Sequence, residues 1–160
     1  MPLGYYHDPA KTADMFAEVD GKRYAVPGDM ARVEEDGTVT LLGRGNTCVN
    51  TGGEKVFPEE VEGALKSHPD VFDALVIGVP DEVLGQRVAA LVQPRPGAAP
   101  DLGGLQEHAR RQIAGYKVPR SIWLAETIRR TVSGKADYAW ARQYAAEHEP
   151  GLGHPVSAAP

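Results

Sequence analysis

The distribution of apolar positions divides the chain near residue 58. Beyond Pro58 it alternates between helical and strand patterns. Val61, Ala64 and Leu65 fall on one helical face, Glu59 and Glu60 sit in the first turn, and Ser67-His68-Pro69 ends the segment. Proline suits the first helical position, where its missing N–H has no partner to lose, and the two acids face the positive end of the helix dipole. Ala74–Val79 is an unbroken apolar run, which predicts a buried strand. A loop over Asp81–Gln86 and a second strand over Arg87–Val92 follow. After the proline and glycine linker Pro94–Pro100, Asp101 caps a helix that aligns Leu102, Leu105, Ala109 and Ile113. Ser121–Ala125 reads as a third strand and Thr131–Lys135 as a turn. Trp140 and Tyr144 share the face of a last helix. From Glu147 to Pro160 no period survives, and a disordered tail is expected.

Before residue 58 the pattern is different. Asp8 and Pro9 open a short helix that runs to about Met15. Asp20-Gly21 joins Phe16–Val19 to Lys22–Val26, and Asp36-Gly37 joins Ala31–Glu35 to Thr38–Leu42. Both read as hairpins, and together they form a β meander. Two hairpins without a covering helix do not make a self-sufficient core. The expectation is therefore that the chain is a fragment whose N-terminal part is absent. The fold class expected beyond these hairpins is α+β, a small three-stranded sheet plus a hairpin covered by helices.

Composition narrows the function classes. With 42% hydrophobic residues and 24% charged ones, the 160-residue chain has the make-up of a soluble globular domain. No apolar run reaches the ~20 residues of a membrane span. A net charge of −5 without a basic stripe argues against a nucleic-acid surface. Cys48 is the single cysteine, so no intrachain disulfide forms, and a reducing, cytoplasmic setting is expected. The five histidines are too scattered for a local zinc motif, and no protein-built metal site is expected.

The chemistry concentrates between Leu41 and Glu62, LLGRGNTCVNTGGEKVFPEEVE. Glycines at 43, 45, 52 and 53 interrupt two strands, which marks either a bend or a close approach of something to the backbone. A Gly-rich hairpin ahead of an amphipathic helix explains the stretch equally well by itself. Read singly, Asp29 is a turn aspartate after glycine, Arg44 a surface arginine beside a kink, and Lys135 an exposed turn lysine.

Three stretches taken together point further. Val26-Pro27-Gly28-Asp29, Gly43-Arg44 through Val61, and Thr131-Val132-Ser133-Gly134-Lys135 stand in the order and approximate spacing of motifs in the adenylate-forming enzymes. The chain resembles that superfamily from Gly4 to about Tyr144. Its GRGNTCVNTGGEKVFPEEVE, GVPDEVLGQRVAALV and GYKVPR segments are most similar to fatty-acyl- and sterol-side-chain-CoA ligases.

The resemblance implies a domain plan. Residues 1–43 match the tail of the large AMP-binding domain, 44–46 the hinge and 47–146 the small C-terminal domain, with 147–160 as the tail. It also implies two half-reactions: a carboxylate attacks ATP to give acyl-AMP and pyrophosphate, then the thiol of coenzyme A displaces AMP. Asp29 matches the acid that accepts from the ribose hydroxyls of ATP, and Arg44 an arginine that contacts the nucleotide. Asn46 stands at the hinge, where aspartate or lysine is usual. Gly52 and Gly53 match the loop along which pantetheine passes, with Gly53 at its closest approach. Tyr116 and Arg120, with Leu84, fall where relatives contact CoA. Leu84 replaces an aromatic residue of some relatives. Lys135 matches the lysine that enters the active site for adenylation, where a fixed cation offsets the repulsion between a carboxylate and a triphosphate.

The phosphate loop, the adenine motif and the acyl pocket of that superfamily have no counterpart here. ATP, Mg²⁺ and CoA are thus expected as ligands of a complete enzyme rather than of this fragment. A carboxylic acid, fatty or sterol-derived, and the missing N-terminal domain complete the expected partners, and the fragment alone is expected to be inactive. Two other readings stay open from sequence alone. One is an acyl-AMP ligase serving a carrier protein, and the other a non-catalytic binding module of the same fold.

Overall fold

The computed structural model describes residues 1–26, 28–44 and 47–153, without the side chains of residues 42–44, 152 and 153. The chain folds as two units, Met1–Asn46 and Thr47–Pro160.

The first unit begins with helix α1 (Pro9–Met15), which Asp8 caps by accepting from the Lys11 amide at 2.9 Å. Strands β1 (Phe16–Val19) and β2 (Lys22–Ala25) pair antiparallel around Asp20 and Gly21. Both turn residues have positive φ, 51° and 71°, as a two-residue type I′ hairpin requires. Strands β3 (Asp29–Val33) and β4 (Val39–Arg44) form the second hairpin. Its loop is longer than the expected two residues. The Asp36 carboxylate accepts from the Thr38 amide at 2.9 Å, and only Gly37 takes positive φ, so the turn closes over Glu34–Gly37 instead. The hairpins are two separate two-stranded sheets rather than one continuous meander. Among its described residues this unit buries none.

The second unit holds the core. Strands β5 (Val49–Thr51) and β6 (Glu54–Val56) form a short hairpin, followed by helix α2 (Pro58–Lys66). Strands β7 (Val71–Asp81) and β8 (Gly85–Pro94) make a long antiparallel ribbon, and helix α3 (Leu102–Arg110) then leads through a 3₁₀ turn at Gly115–Lys117 into β9 (Ser121–Leu124). Helix α4 (Tyr138–Glu147) and the two-residue strand β10 (Leu152–Gly153) close the unit. Strand β8 is central. It pairs with β7 on one side and runs parallel to β9 on the other, β10 adds to β9, and the β5–β6 hairpin joins at Thr51–Gly85.

The continuous apolar runs of β7 and β8 have a simple cause: both faces of the sheet are covered. Ala74, Val76, Val88, Ala90, Val92 and Ile122 cluster with Val61 and Leu65 of α2 and Leu105 and Ala109 of α3. The alternate residues Leu75, Ile77, Ala89, Leu91 and Trp123 cluster with Ala141 and Ala145 of α4. The sequence pattern underestimates the ribbon. The expected loop over Asp81–Gln86 is a turn over Glu82–Leu84, held by Asp81 Oδ1, which accepts from the Val83 and Leu84 amides at 3.1 and 2.9 Å. The expected disordered tail also differs. The helix reaches Glu147, Trp123 Nε1 donates to the His148 carbonyl at 2.8 Å, and β10 pairs with β9. Residues 154–160 lie outside the described residues.

Candidate functional site

Lys135 lies at the end of a tight, exposed turn. The Lys135 carbonyl accepts from the Thr131 amide at 2.8 Å, and the Lys135 amide donates to Thr131 Oγ1 at 3.1 Å. Gly134 has φ +78°, which allows the chain to reverse there. Arg130 and Ala136 pair across the base of the turn. Its N-terminal arm is fixed by Arg130, whose guanidinium donates to both oxygens of Asp73 at 2.7–2.9 Å. Asp73 lies on β7, opposite Gln93. The C-terminal arm runs into Asp137, which caps α4 by accepting from the Trp140 amide at 3.0 Å.

Gly52 and Gly53 form the tip of the β5–β6 hairpin, with φ of +59° and +89°. The Gly52 amide donates to the Leu84 carbonyl at 3.0 Å, docking this tip on the β7–β8 turn. A Cβ at Gly52 would stand 3.0 Å from Leu84 Cδ2, whereas one at Gly53 would meet nothing within 4 Å. The backbone at Gly53 is therefore open to close approach.

Arg120 is exposed, and its amide donates to the Val88 carbonyl at 3.0 Å, near the same end of β8. Asp81 is held below the ordinary carboxylate range, first by the Leu84 amide and further by the Val83 amide and by the charges of Arg87 and Arg120. Tyr116 is exposed on the 3₁₀ turn, with Lys117 Nζ 5.8 Å from its ring centroid. Lys117 itself is held by Glu60 at 2.7 Å.

The candidates thus separate. The glycine tip and Arg120 collect at the Asp81–Gly85 end of the ribbon, while the lysine turn is anchored at Asp73. Eight residues of extended strand part those two anchors, about 26 Å. Asp29 and Arg44 belong to the first unit, at opposing positions of β3 and β4. Asp29 is exposed, and the Arg44 side chain and the whole of Asn46 lie outside the described residues. Among the described residues no group of three or more His, Cys, Asp or Glu side chains is placed to hold a metal ion, and no helix is long and apolar enough to cross a membrane.

Reading by sequence overlooked Glu62. It is buried, and Oε1 accepts from the Val76 amide at 3.0 Å and from the Tyr138 hydroxyl at 3.1 Å. Burial raises its carboxyl above the ordinary glutamate value, with the two hydrogen bonds pulling the other way. Burial and the neighbouring Glu62 charge push the Tyr138 hydroxyl far up, so it remains a donor. The available signal was its helical phase, since Glu62 shares the inward stripe of Pro58, Val61 and Leu65.

Residues 60–135 match the family model described as AMP-binding enzyme C-terminal domain. The chain is 61% identical over 143 residues to a medium/long-chain-fatty-acid–CoA/3-oxocholest-4-en-26-oate–CoA ligase of Mycobacterium tuberculosis, covering 89% of this chain and 26% of that protein. It is also 61% identical, over 142 residues, to a 3-oxocholest-4-en-26-oate–CoA ligase of Rhodococcus rhodochrous, with coverage of 89% and 26%. Among solved structures, the amide bond synthetase McbA of Marinactinospora thermotolerans matches with a TM-score of 0.77 and 33% identity, over 89% of this chain and 28% of that one. The chain therefore spans about a quarter of the length of the curated relatives it matches. By these matches residues 60–135 are an AMP-binding enzyme C-terminal domain, and the solved structures that the chain resembles are adenylate-forming enzymes.

Proposed function

We propose that this chain is the C-terminal part of an ATP-dependent acyl-CoA synthetase acting in the cytoplasm on a fatty or sterol-side-chain carboxylic acid. In the first half-reaction the carboxylate attacks the α-phosphorus of ATP and pyrophosphate leaves. In the second, the CoA thiol loses its proton, its sulfur attacks the acyl carbon and AMP leaves. Lys135 supplies the cation for the first step. Its flexible stem on an exposed turn can reach an anionic centre held by another domain. Asp29 accepts from the ribose hydroxyls, and Arg44 contacts the nucleotide. Gly52 and Gly53 form the CoA side, with Tyr116 and Arg120 toward its polar end. Mg²⁺ accompanies ATP and is held outside this chain, on the domain that precedes residue 1 in the complete protein. Residues 1–43 are that domain's last segment, 44–46 the hinge with Asn46 at its centre, and 47–146 the rotating small domain.

The observation that carries this reading is the separation of the lysine turn from the glycine tip, at anchors about 26 Å apart on one ribbon. Two chemical steps that share one nucleotide site need different ends of the small domain in turn, and rotation about a hinge supplies that exchange. The names of the relatives support the acid–thiol ligase class and the acyl group.

The test is Lys135→Ala in the complete polypeptide. Acyl-adenylate formation should fall by ~10²–10³ or more, as when one preorganised transition-state partner is lost. Supplied with synthetic acyl-AMP and CoA, the variant should form the thioester at nearly the parent rate. Normal adenylation, or equal loss of both steps in a folded protein, would refute the assignment.

A further inference from the structure

We infer that Glu62 and Tyr138 are positioning residues for Lys135, forming one arm of a two-armed clamp that holds the Thr131–Lys135 turn to β7. The inference rests on the role proposed above for Lys135, and it adds to it what sets the lysine's geometry.

The turn leaves the body of the domain through two short arms. On one, Arg130 forms the bidentate pair with Asp73 of β7. On the other, only Ala136 and Asp137 separate Lys135 from Tyr138, whose hydroxyl donates to Glu62 Oε1 at 3.1 Å. That same oxygen accepts from the Val76 amide at 3.0 Å. Asp73 and Val76 are three residues apart on β7, so the two arms reach the strand within about 10 Å of each other. Both ends of the lysine turn are thereby fixed to one buried strand.

The choice of residue at 62 is informative. Glu62 is 5% exposed, and its burial disfavours the charged form. An apolar side chain would fill the space between α2 and β7 at lower cost. What the carboxylate provides instead is one acceptor that joins α2, the outer edge of β7 and the first residue of α4. Tyr138 contributes a rigid side chain whose hydroxyl stays protonated. A catalytic cation on a loop must be held to a fraction of an ångström, and errors of ~1 Å cost up to ~10² in rate.

Tyr138→Phe removes only the hydroxyl and gives the direct test in the complete enzyme. Adenylation should slow by about tenfold or more, while transfer from supplied acyl-AMP to CoA stays within about twofold of the parent. Glu62→Ala should show the same selective loss, and Glu62→Gln should restore most of it, because an amide oxygen still accepts from both donors. Adding Tyr138→Phe to Glu62→Ala should lower adenylation no further, since both remove one link. Unchanged adenylation in Tyr138→Phe, or parallel loss of both steps, would overturn the clamp. Lys135→Ala run alongside separates the two ideas. If it cuts adenylation severely while Tyr138→Phe leaves adenylation unchanged, the clamp alone fails. If it leaves adenylation intact, the role of Lys135 fails and the clamp goes with it.

Discussion

At the scale of single residues, Glu62 and the Gly52–Gly53 pair stand at opposite extremes of burial. Glu62 has its carboxyl raised above the ordinary value of 4.5, chiefly by burial. The folded state therefore favours the protonated form. The stability this contributes is complete below pH 4.5 and disappears as pH climbs through the raised folded value. Glu62→Gln keeps an acceptor for Val76 without an ionisation to suppress. Its melting temperature relative to the parent should accordingly rise between acid and neutral pH, and thermal melts at several pH values would show this; a constant offset would contradict it. Gly52 and Gly53 lie at the other extreme, exposed and at positive φ. Alanine at either should cost ~1–2 kcal/mol for the left-handed backbone. Gly52→Ala should cost more, because its Cβ must displace Leu84, and denaturant titration of both variants would measure the difference. Gly53→Ala should chiefly slow thioester formation, as acyl transfer from supplied acyl-AMP would reveal.

At the scale of elements, the β7–β8 ribbon is the frame on which everything else is hung. Both its faces are covered, so β8 packs against α2 and α3 through one set of alternate residues and against α4 through the other. Leu91 is fully buried on the α4 side. Leu91→Ala should destabilise the unit by ~2–5 kcal/mol through lost transfer energy and the cavity left behind, again read by denaturant titration. A milder loss would mean that α4 can settle into the space. The short β5–β6 hairpin depends on this ribbon. Three-residue strands are marginal alone, and its tip is fixed by one bridge to Gly85 and one hydrogen bond to Leu84. The element that presents the glycine backbone is thereby set by the turn it leans on.

At the scale of the whole molecule, the two units differ in kind. Residues 47–153 enclose two clusters on either side of one sheet. The described residues of the first unit bury nothing, and its strands expose Val19, Tyr24, Met30, Val33, Val39 and Leu41. Hairpins without a buried face have little to hold them. Hydrogen exchange on the isolated chain should show strong protection across β7, β8 and β9 and weak protection across β1 to β4. Uniform protection of both units would mean that the first has a covering surface other than the domain proposed to precede it.

Much of this is readable in the sequence. The starts of α1, α2 and α3 follow from Asp8-Pro9, Pro58 and Asp101, because capping and φ restriction act over a few neighbouring residues. Asp20-Gly21 specifies its hairpin for the same local reason. The motif at Thr131–Lys135 marks its turn for the same reason. Where a further partner intervenes, the local signal misleads. Asp36 turns its carboxylate onto Thr38 and lengthens a loop, two amide hydrogen bonds accepted by Asp81 shorten another, and pairing with β9 draws Leu152 and Gly153 into the sheet. Sequence alone also does not disclose that Asp73 meets Arg130, or that Glu62 meets Tyr138, pairs 57 and 76 residues apart. Such contacts depend on which faces of the sheet the helices cover. That is decided by the packing of the whole unit, and only the tertiary structure resolves it.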